Sequence, residues 1–164
     1  MREIITRSSK ETRELGEKLA KKIESGKLDR FFRLAAIICL EGDLGSGKTT
    51  FSQGILKGLG ARKPYTSPTF IIMKHYKREN KNSDNNHIQN YKVENIYHLD
   101  AYRIGSSKDI MDLGWEEIIK DKNAVIILEW PEKVKDIIPS ESLEIKFQWV
   151  DESRRKITTL KSII

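Results

Sequence analysis

The 164 residues carry 30 Lys and Arg against 24 Asp and Glu, a formal net charge of +6, with 38% hydrophobic residues; this is enough chain for one core, so residues 1–164 are expected to form a single domain. The longest apolar run, Leu34–Leu40, is far short of the ~20 residues of a membrane span, and the N-terminus is charged almost at once and lacks the apolar centre of a secretory signal, so a cytoplasmic protein with no membrane association is expected. A single cysteine, Cys39, excludes an intramolecular disulfide, and the scattered Lys and Arg read as solvated surface in preference to a nucleic-acid stripe.

Residues 3–6 read as a short strand. Ser8-Ser9-Lys10-Glu11 then has the spacing of a capping box, a hydroxyl and a carboxylate that satisfy free N–H groups at a helix start. Leu15, Leu19 and Ile23 follow at four-residue intervals on one helical face, and Gly26 is a natural stop. Leu34–Glu41 is a continuous apolar run ending at a glycine, the pattern of a strand buried on both faces. A glycine-rich loop comes next, then an amphipathic helix with Phe51, Ile55, Leu56 and Leu59, closed by Gly60. Thr69–Tyr76 and Tyr91–Leu99 read as two strands. Between them, the Lys- and Asn-rich stretch 77–90 is expected to be a polar hairpin insertion. Ser106–Lys120 has apolar residues at helical offsets. Ala124–Leu128 is a second fully buried strand, ending in Glu129-Trp130-Pro131, and a short helical piece leads to Pro139. Ser142–Val150 and Arg155–Ile163 alternate as two closing antiparallel strands. Helices and strands interleave, so the expected fold class is three-layer α/β with a mixed, partly parallel sheet and antiparallel C-terminal strands.

The chemistry is concentrated in Gly42-Asp43-Leu44-Gly45-Ser46-Gly47-Lys48-Thr49, which fits G-x-x-x-x-G-K-[ST] in full and lies between a strand and a helix, as a phosphate loop requires. The glycines let successive backbone N–H groups turn inward toward phosphate oxygens. The helix start adds partial positive charge. Lys48 is placed to reach the β- and γ-phosphates and the Thr49 hydroxyl to ligate Mg²⁺, with Thr50 completing the contact set; ATP and Mg²⁺ are the expected cofactors.

Such a loop works with a carboxylate at the end of a neighbouring buried strand. Glu129, directly after five aliphatic residues, is assigned to the metal. Asp100 is the candidate for positioning the attacking water or bridging to the metal, and Asp43 lies within reach of the metal or its water shell. Ser67-Pro68-Thr69 offers a hydroxyl on a proline-stiffened turn, suited to sensing a γ-phosphate.

With these residues in place, the chain closely resembles the TsaE family, the P-loop ATPases of bacterial tRNA threonylcarbamoyladenosine synthesis. The resemblance covers roughly residues 6–150. It rests on the early helix with Glu11-Thr12 and Leu15-Gly16, then GDLGSGKTTF (Gly42–Phe51), SPTF (Ser67–Phe70), YHLDAYR (Tyr97–Arg103) and LEWPE (Leu128–Glu132). It implies an ATPase that works with two partner proteins, TsaD and TsaB, in N6-threonylcarbamoylation of adenosine 37 of tRNAs reading codons that start with A, and that meets tRNA indirectly through that complex. By the same resemblance, weak basal Mg²⁺-dependent hydrolysis, stimulated by the partners, is expected to reset or regulate the TsaD–TsaB complex. The family pattern puts Thr49 and Glu129 on Mg²⁺ and Lys48 on phosphate, makes Thr69 and Asp100 important for hydrolysis, and sets Trp130 beside the nucleotide. Ser9, Thr12 and the basic pair Arg154-Arg155 are candidates for the adenosine side. The 77–90 stretch is longer and more polar than in typical members.

Three alternatives compete. A P-loop small-molecule or nucleoside kinase shares size and fold, but no acceptor-binding segment is visible. A GTPase needs Asn-Lys-x-Asp after an apolar strand, whereas Asn80-Lys81-Asn82-Ser83-Asp84 has its Asp one residue late in a polar loop. A nucleotide-stabilised scaffold without useful turnover would bind partners but not respond to them.

Overall fold

Two strands buried on both faces organise the sheet. The computed structural model describes residues 2–29, 32–78 and 93–159. Within them β2 (Ala36–Glu41) and β5 (Ala124–Glu129) pair in parallel, from Ala36 opposite Val125 to Leu40 opposite Glu129. Side chains alternate between faces along a strand. Ile38, Leu40, Val125 and Ile127 therefore join one core cluster, and Ile37, Cys39, Ile126 and Leu128 the other. Each fully buried aliphatic of this kind stabilises by roughly 1.5–3 kcal/mol, which is why continuous apolar runs occupy the middle of the sheet. Burial also pushes the Cys39 thiol up to about 12.

The remaining strands are β1 (Arg2–Thr6), β3 (Met73–Lys77), β4 (Asn95–Asp100), β6 (Leu143–Trp149) and β7 (Arg155–Thr159), in the spatial order β1-β7-β6-β2-β5-β4-β3. β4 and β6 run parallel to their central neighbours, whereas β3, β7 and β1 are antiparallel additions. The helices α1 (Ser9–Glu24) and α2 (Lys48–Gly58) cover one face, and α3 (Lys108–Met111), α4 (Trp115–Lys120) and two single-turn 3₁₀ helices, Pro131–Lys133 and Lys135–Ile137, lie with the other cluster. The result is the expected three-layer α/β architecture with a mixed sheet. No helix among the described residues is long and apolar enough to cross a membrane.

The first helix starts as its sequence requires. Ser8 accepts a 3.1 Å hydrogen bond from Glu11 N, while the Glu11 carboxylate reaches back to Arg7 N at 2.7 Å, one residue before the cap. It packs against α2 through small residues. A Cβ on Gly16 would stand 2.4 Å from Phe51 O, and one on Gly54 would stand 2.1 Å from Arg13 O. Backbone meets backbone there.

Three expectations are revised. The strand expected from Thr69 begins at Met73, because Thr69–Ile71 form a turn in which Ile71 N donates to Pro68 O at 2.8 Å and Ile72 takes φ +64°. The helix expected over 106–120 is two short ones, broken at Gly114, whose φ of +85° no right-handed helix continues through. The strand expected from Tyr91 starts at Asn95, after Val93 and Glu94. The polar insertion placed at 77–90 lies outside the described residues from 79 onward, as do Tyr91 and the tail of the last strand beyond Thr159.

Candidate functional site

The parallel register brings three chain segments to one edge of the sheet. β2, β4 and β5 all end there, with Asp100 opposite Glu129 and Glu129 opposite Leu40. Two backbone bonds beyond the strands keep these ends together: Trp130 N donates to Leu40 O at 3.2 Å and Ala101 N to Glu129 O at 3.0 Å. The loop 42–47 leaves β2 at this edge and enters α2, as an open α/β sheet places its ligand crevice at the carboxyl ends of strands.

The loop backbone has conformations that glycine alone accepts readily. Gly47 takes φ +103° as the residue before α2. At Gly42, with φ +143°, an added Cβ would meet Phe147 O at 2.3 Å, so β6 packs directly under the loop. Ser46 Oγ is buried and, among the described residues, has no hydrogen-bond partner. Lys48 is 4% exposed and folds back on its own loop: Nζ donates to Gly42 O and, at 2.8 Å, to Asp43 O, and sits 3.9 Å from the centre of the Trp130 ring. Burial lowers the Lys48 pKa below the usual lysine range, and the charges of Glu129, Glu132, Asp100 and Asp43 oppose that shift.

Glu129 is 1% exposed and fully engaged. Its Oε2 accepts from Thr49 Oγ1 at 2.8 Å, and its Oε1 from Ser52 Oγ at 2.9 Å, with His98 Nε2 at 2.8 Å from the same Oε1. Period-two alternation explains the grouping. Ile96, His98 and Asp100 share one face of β4, and Val125, Ile127 and Glu129 the same face of β5, so each row turns from apolar to polar as it nears the loop.

Asp100 anchors a second group. Oδ2 accepts from Thr69 Oγ1 at 2.6 Å and from Ser67 Oγ at 3.2 Å, and Oδ1 accepts from Tyr102 N at 3.0 Å. The turn before β3 is thereby tied to the end of β4. Ile72 and Trp130, the non-glycine residues with positive φ among those described, flank this edge. Such conformations cost about 1–3 kcal/mol each and collect at functional sites.

A cleft of about 680 Å³ runs along the edge, within the size range of small-molecule sites. Of the residues expected to bind nucleotide or metal, Leu44 to Thr50, Ser9, Thr12, Thr69, Asp100, Glu129 and Trp130 line it. Gly42 and Asp43, the start of the loop, are not among the lining residues, and Asp43 is exposed. Thr12 is 1% exposed and its hydroxyl is 2.8 Å from that of Thr6. Arg154 is not among the lining residues: its Nε donates to Asp151 Oδ2 at 2.6 Å. Its neighbour Arg155 does line the cleft and donates Nε–H to Gly45 O at 3.1 Å. Ser52 and His98 were not singled out from sequence, although each carried a signal. Ser52 is three residues after Thr49 on a helix, and His98 is two before Asp100 on a strand, so each shares its neighbour's face.

The residues fit a Mg²⁺-nucleotide. The loop offers an unpartnered buried Ser46 hydroxyl, and Thr49 and Glu129 are the hard oxygen donors that Mg²⁺ takes. Among the described residues no three acidic, histidine or cysteine side chains form a metal cage by themselves, and Mg²⁺ in such sites completes its shell with phosphate oxygens and water.

The family model described as threonylcarbamoyl adenosine biosynthesis protein TsaE matches residues 6–157. The tRNA threonylcarbamoyladenosine biosynthesis protein TsaE of Bacillus subtilis is 34% identical over 128 residues, 78% of this chain and 71% of that protein. The protein of the same name from Treponema pallidum is 28% identical over 154 residues, 94% of this chain and 96% of the relative. The crystal structure of Bacillus subtilis YdiB superposes with a TM-score of 0.67 at 26% identity, covering 96% of this chain and 83% of YdiB.

Proposed function

The chain belongs to the TsaE family, and from that premise we propose that it is a Mg²⁺-dependent ATPase serving tRNA threonylcarbamoyladenosine synthesis, acting in the cytoplasm with the TsaD and TsaB proteins and meeting tRNA through them. The observation that carries the reading is the buried carboxylate of Glu129 held by the Thr49 hydroxyl, joining the end of β5 to the first turn of the phosphate loop's helix.

Each residue has a physical task. The amides of Gly45 to Thr49 take up phosphate charge, and Lys48, leaving the carbonyls of Gly42 and Asp43, provides a cation whose charge is little screened because it is buried. When bound, Mg²⁺ neutralises charge building on the phosphate oxygens, with Thr49 and Glu129 as the residues that hold it or its water. Asp100, fixed from both oxygens by Thr69, Ser67 and Tyr102 N, keeps one acceptor position on Oδ1 to orient a water molecule. Trp130 walls the site beside the Lys48 ammonium.

A lone phosphate-loop protein without an arginine supplied by a partner hydrolyses slowly, since that residue is worth about 10³–10⁵ in rate. The test is phosphate release from ATP by the purified chain, with and without Mg²⁺ and with and without TsaD and TsaB. Weak turnover that needs Mg²⁺ and rises with the partners is expected. Nucleotide binding with no response to the partners favours a scaffold, and failure to bind ATP at all removes the reading.

A further inference from the structure

Three side chains converge on Glu129, and they are not equivalent. Thr49 donates to Oε2 from the phosphate loop's own helix. Ser52 donates to Oε1 but also lies 3.1 Å from Lys48 O, so its single proton is divided between two acceptors. His98 belongs to β4, is 1% exposed, and places Nε2 at 2.8 Å from Oε1. Its other ring nitrogen, Nδ1, is buried and has no hydrogen-bond partner among the described residues.

That asymmetry selects one tautomer. A neutral imidazole carries one N–H and one bare nitrogen. With hydrogen on Nε2, the ring donates to the carboxylate and leaves a bare lone pair unmatched. With hydrogen on Nδ1, two acceptors would face each other at Oε1 and an N–H would be buried without an acceptor. The first arrangement is the one the site can hold, because an orphaned buried donor beside a lost charge-assisted bond is the costlier combination.

We propose that His98 is a positioning residue for Glu129, and that the coupling between Mg²⁺ and nucleotide binding depends on its Nε2–H. The inference rests on the Mg²⁺-nucleotide reading above. A carboxylate rotates readily about its last torsion. Held at Oε1 by a ring that is itself locked in the sheet, it keeps Oε2 turned to Thr49. Outer partners that fix a metal-binding carboxylate are typically worth about 10–100-fold in metal affinity or activity.

The test follows binding of a fluorescent, non-hydrolysable ATP analogue as Mg²⁺ is titrated, in the wild type, His98→Leu and His98→Gln. Mg²⁺ should tighten binding to the wild type. His98→Leu should keep its Mg²⁺-free affinity but need about 10–100-fold more Mg²⁺ for half the effect, and His98→Gln, which retains an N–H donor, should recover most of the loss. Nitrogen NMR of the wild type needs no variant and should show hydrogen on Nε2. A Leu variant with wild-type Mg²⁺ dependence, a Gln variant no better than Leu, or a ring with hydrogen on Nδ1 and none on Nε2 overturns the inference alone. A wild type whose binding ignores Mg²⁺ overturns the nucleotide reading and takes this inference with it.

Discussion

Thr49 Oγ1 donates a 2.8 Å hydrogen bond to Glu129 Oε2, linking residues 80 positions apart in the chain. The contact joins a helix start to a strand end, and it is drawn from the buried side of the cleft, where Glu129 is 1% exposed. Burying a carboxylate costs several kcal/mol, which the bonds from Thr49, Ser52 and His98 offset; an aliphatic residue would fill the same place without that cost, so the charge points to a role beyond packing.

Glu129→Gln keeps the volume and two polar ends but removes the charge. Hydrolysis should fall by about 10²-fold or more, the scale of losing one preorganised charge-stabilising group, while nucleotide binding without Mg²⁺ stays close to that of the wild type. Phosphate release and Mg²⁺-free nucleotide titration check the two halves. Full turnover in the variant would remove Glu129 from the metal.

Asp100→Asn separates water positioning from binding. The Asp100 carboxylate accepts from Thr69, Ser67 and the Tyr102 amide, and an amide in its place turns one acceptor into a donor aimed at other donors. The expected result is a fall in kcat of about 10²–10⁴, the range of a lost general base, with KM changed by a few-fold. Thr69→Val should lower kcat less, because Ser67 and Tyr102 N still hold the carboxylate. A change confined to KM would recast Asp100 as a residue that shapes the turn.

Much of this site was legible in the chain because its parts are local. The phosphate loop needs only its eight residues, and Glu129 stood out as an acid after five aliphatics. The SPTF turn was noticed, but its span was read as strand from Thr69. Apolar and β-branched Phe70-Ile71-Ile72 mimic a strand, while the tie from Thr69 to Asp100, distant in sequence, sets the turn. Phe70 is in fact 83% exposed. The helix over 106–120 was read through Gly114, which takes a positive φ directly before the buried Trp115. His98 escaped because an alternating strand does not show which neighbouring strand it meets. Its partner Glu129 lies on the adjacent strand two positions beyond the residue paired with it, and that placement is fixed by sheet register, which is a tertiary property.

The two arginines after the β6–β7 turn differ in a way that sequence could not resolve. Arg154 bonds the Asp151 carboxylate, and that side-chain bond, then the Arg154 and Ser153 backbone amides, hold the exposed Asp151 down to about 2 from 3.8. A carboxylate depressed in the folded state contributes stability above its unfolded value, and that contribution is lost as pH falls through about 2. Arg154→Ala should move the Asp151 titration, followed by NMR, back toward 3.8 and leave nucleotide affinity unchanged. Arg155→Ala should weaken nucleotide binding by about 10-fold, matching a charged hydrogen bond of about 1.5 kcal/mol, since Arg155 Nε holds Gly45 O in the loop. The reverse pattern would put Arg154 on the nucleotide.

The last prediction concerns the helix pair that carries the loop. An added methyl at Gly54 would stand 2.1 Å from Arg13 O, so Gly54→Ala must push α1 and α2 apart. In an open helix the same change would help by about 1 kcal/mol through propensity. Against backbone it should instead destabilise by about 1–3 kcal/mol, a fall in Tm of several degrees for a domain of this size. Gly105→Ala is the control, because nothing lies within 4 Å of a Cβ there, and its Tm should stay near that of the wild type. Since α2 begins at Lys48 and α1 borders the cleft through Ser9 and Thr12, Gly54→Ala should also weaken nucleotide binding although it replaces no cleft residue. An unchanged Tm would mean that the two helices separate without cost, and the close packing would then have no part in setting the loop.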